Sequence, residues 1–151
     1  MEINDLISPG DIIANLKSTS KKQALQELAR RLAERSGESK RLIFELLMER
    51  EKLGSTGVGN GIAIPHGKLN KLDRLQGMFA RLENSIDFQS IDNQPVDLIF
   101  VLLAPTSAGA NHLKALARVS RLLRDQTICE KLRGTDTADG LYAILIEGKE
   151  S

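Results

Sequence analysis

Two histidines are the residues of this chain best suited to chemistry. His66 stands between Pro65 and Gly67, at the end of the short apolar run Ile62-Ala63-Ile64. Proline fixes the backbone before it and glycine leaves the backbone after it uncrowded, so we expect the imidazole to be presented to solvent or to a partner. A neutral imidazole has a free ring nitrogen that can attack phosphorus or bind a ligand. The alternative is a histidine that caps the end of a strand.

A glycine-rich segment precedes His66. Four glycines occur in the eight residues from Gly54 to Gly61, and glycine lets backbone N–H groups converge on an anion. The segment is not a Walker loop, because Gly67-Lys68 is followed by leucine, and a dinucleotide loop would follow a strand and precede a helix. Alone, such a segment is more often a structural turn. Beside His66 it indicates an anion site.

His112 falls in the first turn of a predicted helix, where free N–H groups and the helix dipole favour an anion over an imidazolium. If the two histidines meet, His112 can hydrogen-bond a phosphoryl group carried on His66. Arg50, in the last turn of another predicted helix, can then offset the charge of that group. The alternative for His112 is a polar residue on the surface.

The sequence gives less support to a metal site or to cysteine chemistry. His66, His112 and Cys129 make a poor zinc site, because structural zinc takes four ligands and catalytic zinc usually takes three. We therefore expect no metal and no cofactor. A single cysteine cannot form an internal disulfide, which favours a reducing compartment and hence the cytoplasm. Cys129 is expected to be a buried, inert thiol.

Composition excludes several classes of partner. The 21 Lys and Arg against 20 Asp and Glu give a net charge of +1, and there are only five aromatic residues. Such a chain is a poor match for nucleic acid. The longest apolar run, Leu98 to Pro105, is far shorter than the roughly 20 residues of a membrane span, and the N-terminus lacks a signal-peptide pattern. We expect no membrane insertion and one domain over residues 1–151.

Hydrophobic periodicity predicts an α/β fold in which helices cover a sheet. Ser20 with Gln23 forms a predicted capping box, and Gly37 and Gly148 are predicted helix stops. The predicted strands are Asp11–Ser18, the short apolar run Ile62-Ala63-Ile64, Leu75–Glu83 and Val96–Ala104, the last buried on both faces. The predicted helices run from Ser20 to Gly37, Ser39 to Gly54, Asn111 to Arg124, Thr127 to Arg133 and Ala138 to Glu147.

The helical patterns also predict which side chains face the core. The predicted core residues are Leu42, Ile43, Leu46 and Leu47 in the second helix, Leu113, Leu116, Ala117 and Leu123 in the third, and Leu141, Ile144 and Leu145 in the last. A basic stripe of Lys114, Arg118, Arg121 and Arg124 is predicted along another face of the third helix. It is either a solvated face or a docking surface for an acidic partner.

The stretch Glu51 to Gly67, ending Gly59-Asn60-Gly61-Ile62-Ala63-Ile64-Pro65-His66-Gly67, resembles the phosphorylation-site signature of the fructose/mannitol-type enzyme IIA proteins. These proteins belong to the bacterial phosphotransferase system. The similarity runs over nearly the whole chain. The segments Ser20–Leu25, Arg50–Gly57 and His112–Lys114 especially resemble the nitrogen-regulatory branch of the family.

The resemblance implies a mixed β-sheet flanked by helices, with His66 as phosphoryl acceptor, His112 as second active-site histidine and Arg50 beside them. The donor would be a small phosphocarrier resembling HPr, with no metal or nucleotide required. The implied phosphate-binding residues are Ser55, Thr56, Gly57 and Gly59.

The implied output is regulatory, with potassium transport proteins and sensor kinases as the expected targets. Two alternatives stay open. The chain is a sugar-route IIA that passes phosphate to a IIB domain, or it is a binding module whose histidine is never phosphorylated.

Overall fold

The computed structural model describes residues 1–147, in which helices and strands alternate irregularly. The elements are β1 (Ile12–Leu16), α1 (Lys21–Ser36), α2 (Lys40–Lys52), β2 (Gly57–Gly59), β3 (Ile62–Ala63), β4 (His66–Leu69), β5 (Gln76–Ile86), β6 (Val96–Pro105), α3 (Ala110–Arg124), α4 (Gln126–Arg133) and α5 (Ala138–Glu147). The four predicted strands, which correspond to β1, β3, β5 and β6, and the five predicted helices are confirmed, with small shifts at their ends. The predicted stop at Gly148 lies outside the described residues.

The strands form one mixed sheet in the order β1, β5, β6, β3, β2. Antiparallel β5 and β6 lie at its centre, and β1 runs parallel to β5 at one edge. β3 and β4 pair in parallel with successive parts of β6, with Ile62 opposite Leu98 and His66 opposite Leu102. β2 pairs antiparallel with β3 at the other edge. The predicted α/β class and mixed sheet are confirmed.

Helices cover both faces of this sheet, which explains why β6 is apolar at every position from Leu98 to Pro105. Ile99, Val101 and Leu103 of β6 pack with α1 and α2 in one core. The alternate residues, including Phe100, pack with α3, α4 and α5 in the other. A strand covered on both faces by helices needs apolar side chains at consecutive positions. None of the helices in the described part of the chain has the length and apolar character needed to cross a bilayer.

Caps at the ends of α1 and α2 fix where each helix begins. The Ser20 hydroxyl accepts a hydrogen bond from the Gln23 N–H at 3.1 Å, and Gly37 ends α1 in the left-handed conformation at φ +78°. The predicted capping box is only half formed, because the Gln23 side chain accepts from the Thr19 N–H at 2.7 Å. Ser39 caps α2 in the same way as Ser20 caps α1.

The buried face of α3 differs from the predicted one. Leu113 is 68% exposed and Ala117 is also exposed, because the helix turns the neighbouring positions toward the sheet. Its buried side chains are His112, Ala115, Arg118, Val119, Leu122 and Leu123. The predicted basic stripe is therefore interrupted at Arg118. Leu116 is only half-buried.

Two other predicted core faces need smaller corrections. In α2, Leu42 is 46% exposed and Leu46 is half-buried, so Ile43 and Leu47 carry the core contact of that helix. In α5, Ile144 is half-buried, while Leu141 and Leu145 are buried as predicted.

Candidate functional site

His66 is the first residue of β4, a strand that hydrophobic periodicity did not predict. The strand forms because it pairs with β6, beyond a break at Ile64 and Pro65 that separates it from β3. The imidazole is half-buried, and its Nδ1 lies 2.8 Å from the carbonyl oxygen of Ile64. A carbonyl oxygen only accepts hydrogen bonds, so Nδ1 carries the proton in this contact. The other ring nitrogen, Nε2, keeps its lone pair.

The positively charged side chain of Arg50 lies beside that lone pair. It lies in the last turn of α2, as predicted, and its Nη1 donates to the carbonyl oxygen of Gly54 at 2.9 Å. Its Nε lies 3.4 Å from His66 Nε2, within hydrogen-bonding reach. The bond to Gly54 aims the planar guanidinium, which is a fixed cation at any cellular pH. Nε2 of His66 therefore accepts a hydrogen bond from a positively charged group, and any attack by Nε2 requires this bond to break.

His112 lies next to His66 in the site. It lies in the first turn of α3 and is 8% exposed, so it is not the surface residue of the alternative interpretation. Its ring centroid is 5.8 Å from that of His66, with the planes tilted by 49°. Within residues 1–147 its buried Nδ1 has no hydrogen-bond partner. A buried polar atom without a partner is uncommon and often marks a place where a ligand binds.

Both imidazoles are held neutral. Burial lowers the pKa of His66, and the charge of Arg50 lowers it further, against the opposing effects of the Ile64 carbonyl and Glu51. Burial also lowers the pKa of His112, helped by its proximity to His66 and to Lys68. A nucleophilic nitrogen has to be unprotonated. The lowered pKa of His66 therefore favours the neutral ring, in which Nδ1 carries the proton and Nε2 has none.

These lowered pKa values predict how stability depends on pH. The folded protein binds fewer protons at His66 and His112 than the unfolded chain, so their contribution to stability is present above the ordinary histidine pKa of about 6.5. It is lost as pH falls through the lower folded-state values. We expect urea unfolding to give a declining free energy from about pH 7 to about pH 5, and a double His66→Ala, His112→Ala variant to decline less. An identical decline in the variant would contradict this.

The serine and threonine beside the glycines have partners within the fold. Ser55 Oγ donates to the Phe88 carbonyl oxygen at 2.7 Å and accepts from the Gly57 N–H at 3.0 Å. The Thr56 hydroxyl donates to the buried Glu51 carboxylate. The roles of four residues as phosphate ligands stay predictions: Ser55, Thr56, Gly57 and Gly59. The two hydroxyls would have to exchange their present hydrogen bonds for bonds to the phosphate.

The glycines themselves have a structural explanation. Gly57 and Gly59 form β2, which turns back onto β3, so this segment is a tight hairpin and not an open loop. A Cβ on Gly57 would collide with the side chain of Ser90. Gly59 has a φ of +104°, a conformation that favours glycine.

Glu51 is a site residue that sequence reasoning missed. Glu51 is 8% exposed, and its carboxylate accepts from the Thr56 N–H at 3.1 Å. Lys21, in the first turn of α1, lies 2.8 Å from the same carboxylate. Through this hydrogen bond and this ion pair, Glu51 connects the end of α2 to the segment before β2 and to α1. The one signal for it in the sequence is its place as the first residue of the Glu51 to Gly67 stretch.

Replacing Glu51 with glutamine tests the contribution of these contacts to stability. The neutral amide leaves Lys21 without a buried counter-charge, and we expect a loss of about 1–3 kcal/mol in the free energy of unfolding. The pKa of His66 should fall further, because the Glu51 charge raises it. Urea unfolding and an NMR titration of His66 measure the two effects. Glu49→Gln, on the exposed side of the same helix, is the matched control, and equal effects in both variants would refute the role of Glu51.

Comparisons with known proteins identify the family of this chain. The family model described as phosphoenolpyruvate-dependent sugar phosphotransferase system, EIIA 2, matches residues 5–148. A nitrogen regulatory protein from Bradyrhizobium diazoefficiens is 59% identical over 145 residues, covering 96% of this chain and 95% of that protein. A nitrogen regulatory protein from Klebsiella oxytoca is 42% identical, covering 97% of this chain and 91% of that protein.

Solved structures of similar proteins have the same fold as this chain. The nitrogen regulatory protein IIA-Ntr from Neisseria meningitidis superposes with a TM-score of 0.90 at 36% identity, covering 95% of this chain and 98% of that one. The mannitol IIA of Escherichia coli has a TM-score of 0.78 at 20% identity, covering 92% of this chain and 98% of that one, a likeness of fold alone. The family model matches nearly the whole length of this chain. The chain therefore belongs to the EIIA type 2 family of the phosphotransferase system, and within that family it resembles the nitrogen-regulatory IIA proteins.

Proposed function

We propose that this chain is a phosphohistidine carrier whose output is regulatory. It accepts a phosphoryl group on His66 from a phosphocarrier protein resembling HPr, and its phosphorylation state decides which partner proteins it binds. The observation that carries the proposal is the placement of the His66 ring, whose Nδ1 lies 2.8 Å from the Ile64 carbonyl oxygen and whose Nε2 lies 3.4 Å from Arg50 Nε. The nitrogen regulatory proteins among its relatives support a regulatory output over a purely metabolic one.

The chemistry follows from the positions of three side chains. Nε2 of His66 attacks the phosphorus of the donor phosphohistidine in line, so a new N–P bond forms as the donor N–P bond breaks and its electron pair returns to the donor imidazole. Arg50 offsets the negative charge spread over the phosphoryl oxygens. His112 hydrogen-bonds one of these oxygens. Catalysis is therefore by positioning and electrostatics.

Phosphorylation of the wild-type protein tests the proposal directly. The chain is incubated with phosphoenolpyruvate, enzyme I and the HPr-like protein, and its intact mass is measured. We expect one acid-labile phosphate, located on Nε2 by ¹⁵N and ³¹P NMR, because Nδ1 donates to the Ile64 carbonyl. No gain of mass would refute the carrier function. Modification at Nδ1 would refute the assigned geometry.

His112 is expected to matter more for release of the phosphoryl group than for its capture. We predict that His112→Ala still accepts phosphate but transfers it onward about 10- to 100-fold more slowly, the value of one hydrogen bond to a charged group. Rapid-quench measurement of transfer from the phosphorylated variant back to the HPr-like protein gives this rate. Asn111→Ala, at the exposed neighbouring position, is the control. Normal onward transfer by His112→Ala would remove the role of this histidine.

Potassium transport proteins and sensor kinases are the partner classes that we propose for the regulatory output. A pull-down that compares wild type with His66→Ala, with and without the phosphoryl donor, tests this. A partner that depends on phosphorylation should respond to the donor with wild type and not with the variant. Partners that bind both proteins equally in all conditions would contradict a phosphorylation switch.

A further inference from the structure

A groove of about 710 Å³ lies along the last residues of β1, beside α1 and the N-terminal half of α2. Ile13 and Leu16, both nearly buried, and the half-buried Phe44 give it an apolar floor. None of the residues that form the His66 site lines this groove. The catalytic proposal therefore leaves the groove without a role.

Positive charge is concentrated around this groove. Its lining contains five basic side chains and one carboxylate, although the whole chain has a net charge of only +1. The carboxylate, Glu27, is already paired with Arg30 at 2.6 Å and with Arg31 at 3.4 Å. Lys17 and Lys40 form no ion pair with any residue in 1–147. The two free lysines give the groove an affinity for negative charge.

The position of Lys40 does not serve the stability of the helix. Lys40 and Arg41 occupy the first turn of α2, which contains no acidic residue. Cations are disfavoured there because the helix dipole places partial positive charge at the N-terminus. An ion pair with Glu45 at 2.9 Å offsets the unfavourable position of Arg41. Lys40 has no such ion pair within residues 1–147. An anionic partner would remove this unfavourable interaction.

The backbone of β1 favours an extended occupant. β1 is an edge strand, and among the described residues it pairs with β5 alone. A free edge can accept one more strand, whose main chain supplies hydrogen bonds and whose alternate side chains point to one side. We propose that an acidic segment of a partner protein binds here as an added strand. Its apolar side chains contact the groove floor, and its carboxylates contact Lys17 and Lys40.

This docking surface is compatible with phosphoryl transfer at the same time. Lys40 lies at the start of α2 and Arg50 in its last turn, a separation of about 15 Å along the helix axis. A partner held in the groove therefore leaves His66 open to the phosphocarrier. The groove is a second contact surface, and the proposal does not depend on the phosphorylation of His66.

A synthetic peptide tests the proposal with the full chain. The probe is a fluorescein-labelled peptide of about ten residues with alternating valine and glutamate, and its binding is measured by fluorescence anisotropy at low salt. A Lys17→Glu, Lys40→Glu variant should bind at least about tenfold more weakly, without a lower melting temperature, because a glutamate at the start of α2 suits the helix dipole. Lys71→Glu with Lys131→Glu, two exposed cations outside the groove, should bind as wild type does.

Amide hydrogen exchange locates the bound peptide. We expect slower exchange in β1 on addition of the valine-glutamate peptide and no change with a valine-lysine peptide. Absence of binding, equal binding by the Lys17→Glu, Lys40→Glu variant, or equal binding of the lysine peptide would each overturn the proposal. So would protection that falls outside β1. Binding of tripolyphosphate to this groove with no binding of the acidic peptide would assign it to a small anion instead, and the strand-addition proposal would be wrong.

Discussion

Replacing His66 with alanine is expected to abolish phosphorylation of the chain while leaving its fold intact. The nitrogen that would attack phosphorus is lost, and the chain has only one other histidine. That second imidazole, His112, is 8% exposed, against a half-buried His66, so it is poorly placed to replace the acceptor. The side chain of His66 makes one short hydrogen bond, to the carbonyl of Ile64 two residues away, and one long contact of 3.4 Å with Arg50 Nε. Its removal should therefore cost little stability.

Intact mass after incubation with the complete phosphoryl-donor system measures the effect. We expect one acid-labile phosphate on wild type and none on His66→Ala, with urea unfolding curves that differ little between the two. His66→Gln is a useful second variant, because its side chain has similar reach and polarity but no nucleophilic nitrogen. Undiminished labelling of either variant would show that another residue is the acceptor. Labelling that shifts to His112 only in the His66 variants would be detected by peptide mapping under neutral conditions.

The elements with strong local signals were predictable from the sequence. The Ser20 cap, the Gly37 stop and the apolar residues between them define α1, and the continuous apolar run defines β6. β4 was missed because its four residues, beginning with His66-Gly67, have neither β-branched side chains nor an alternating pattern. It is a strand because β6 lies beside it. Tertiary pairing overrides weak local preference in such short segments.

The burial of α3 shows a different limit. Leu113 is the more hydrophobic residue, yet His112 faces the interior and Leu113 is exposed. Periodicity defines a helix and an approximate apolar face, but a shift of one residue turns that face by about 100°. Here the phase of the helix presents His112 to His66. The buried Arg118 follows from the same phase.

Three residues of the candidate site could be picked out from the sequence, and its geometry and Glu51 could not. His66 and His112 are the two histidines of the chain, and Arg50 opens the segment Arg50–Gly57 that resembles the nitrogen-regulatory branch. The partners of Ser55 could not be predicted, since its hydroxyl donates to the carbonyl of Phe88, 33 positions along the chain. The identity of the free nitrogen on His66 likewise depends on how Ile64 and Arg50 approach the ring.

Replacing Arg50 with glutamine is expected to slow phosphoryl transfer to His66 by about 10²- to 10³-fold, the usual cost of removing one fixed donor or charge from a developing anion. Glutamine keeps some hydrogen-bonding capacity but has no charge to offset the phosphoryl oxygens. The pKa of His66 should rise in this variant, because the Arg50 charge lowers it. Single-turnover transfer from the phosphorylated HPr-like protein gives the rate, and an NMR titration of His66 gives the pKa.

Arg50→Lys separates charge from geometry at the same position. Lysine retains the positive charge but cannot place one donor on the Gly54 carbonyl and another beside His66 Nε2, as the guanidinium does at 2.9 Å and 3.4 Å. We therefore expect its pKa effect on His66 to resemble wild type and its transfer rate to lie between wild type and Arg50→Gln. If Arg50→Lys transfers as slowly as Arg50→Gln, the aimed hydrogen bond matters and the charge does not. If both variants transfer at the wild-type rate, Arg50 has no part in the reaction, and the lone pair on Nε2 is sufficient without it.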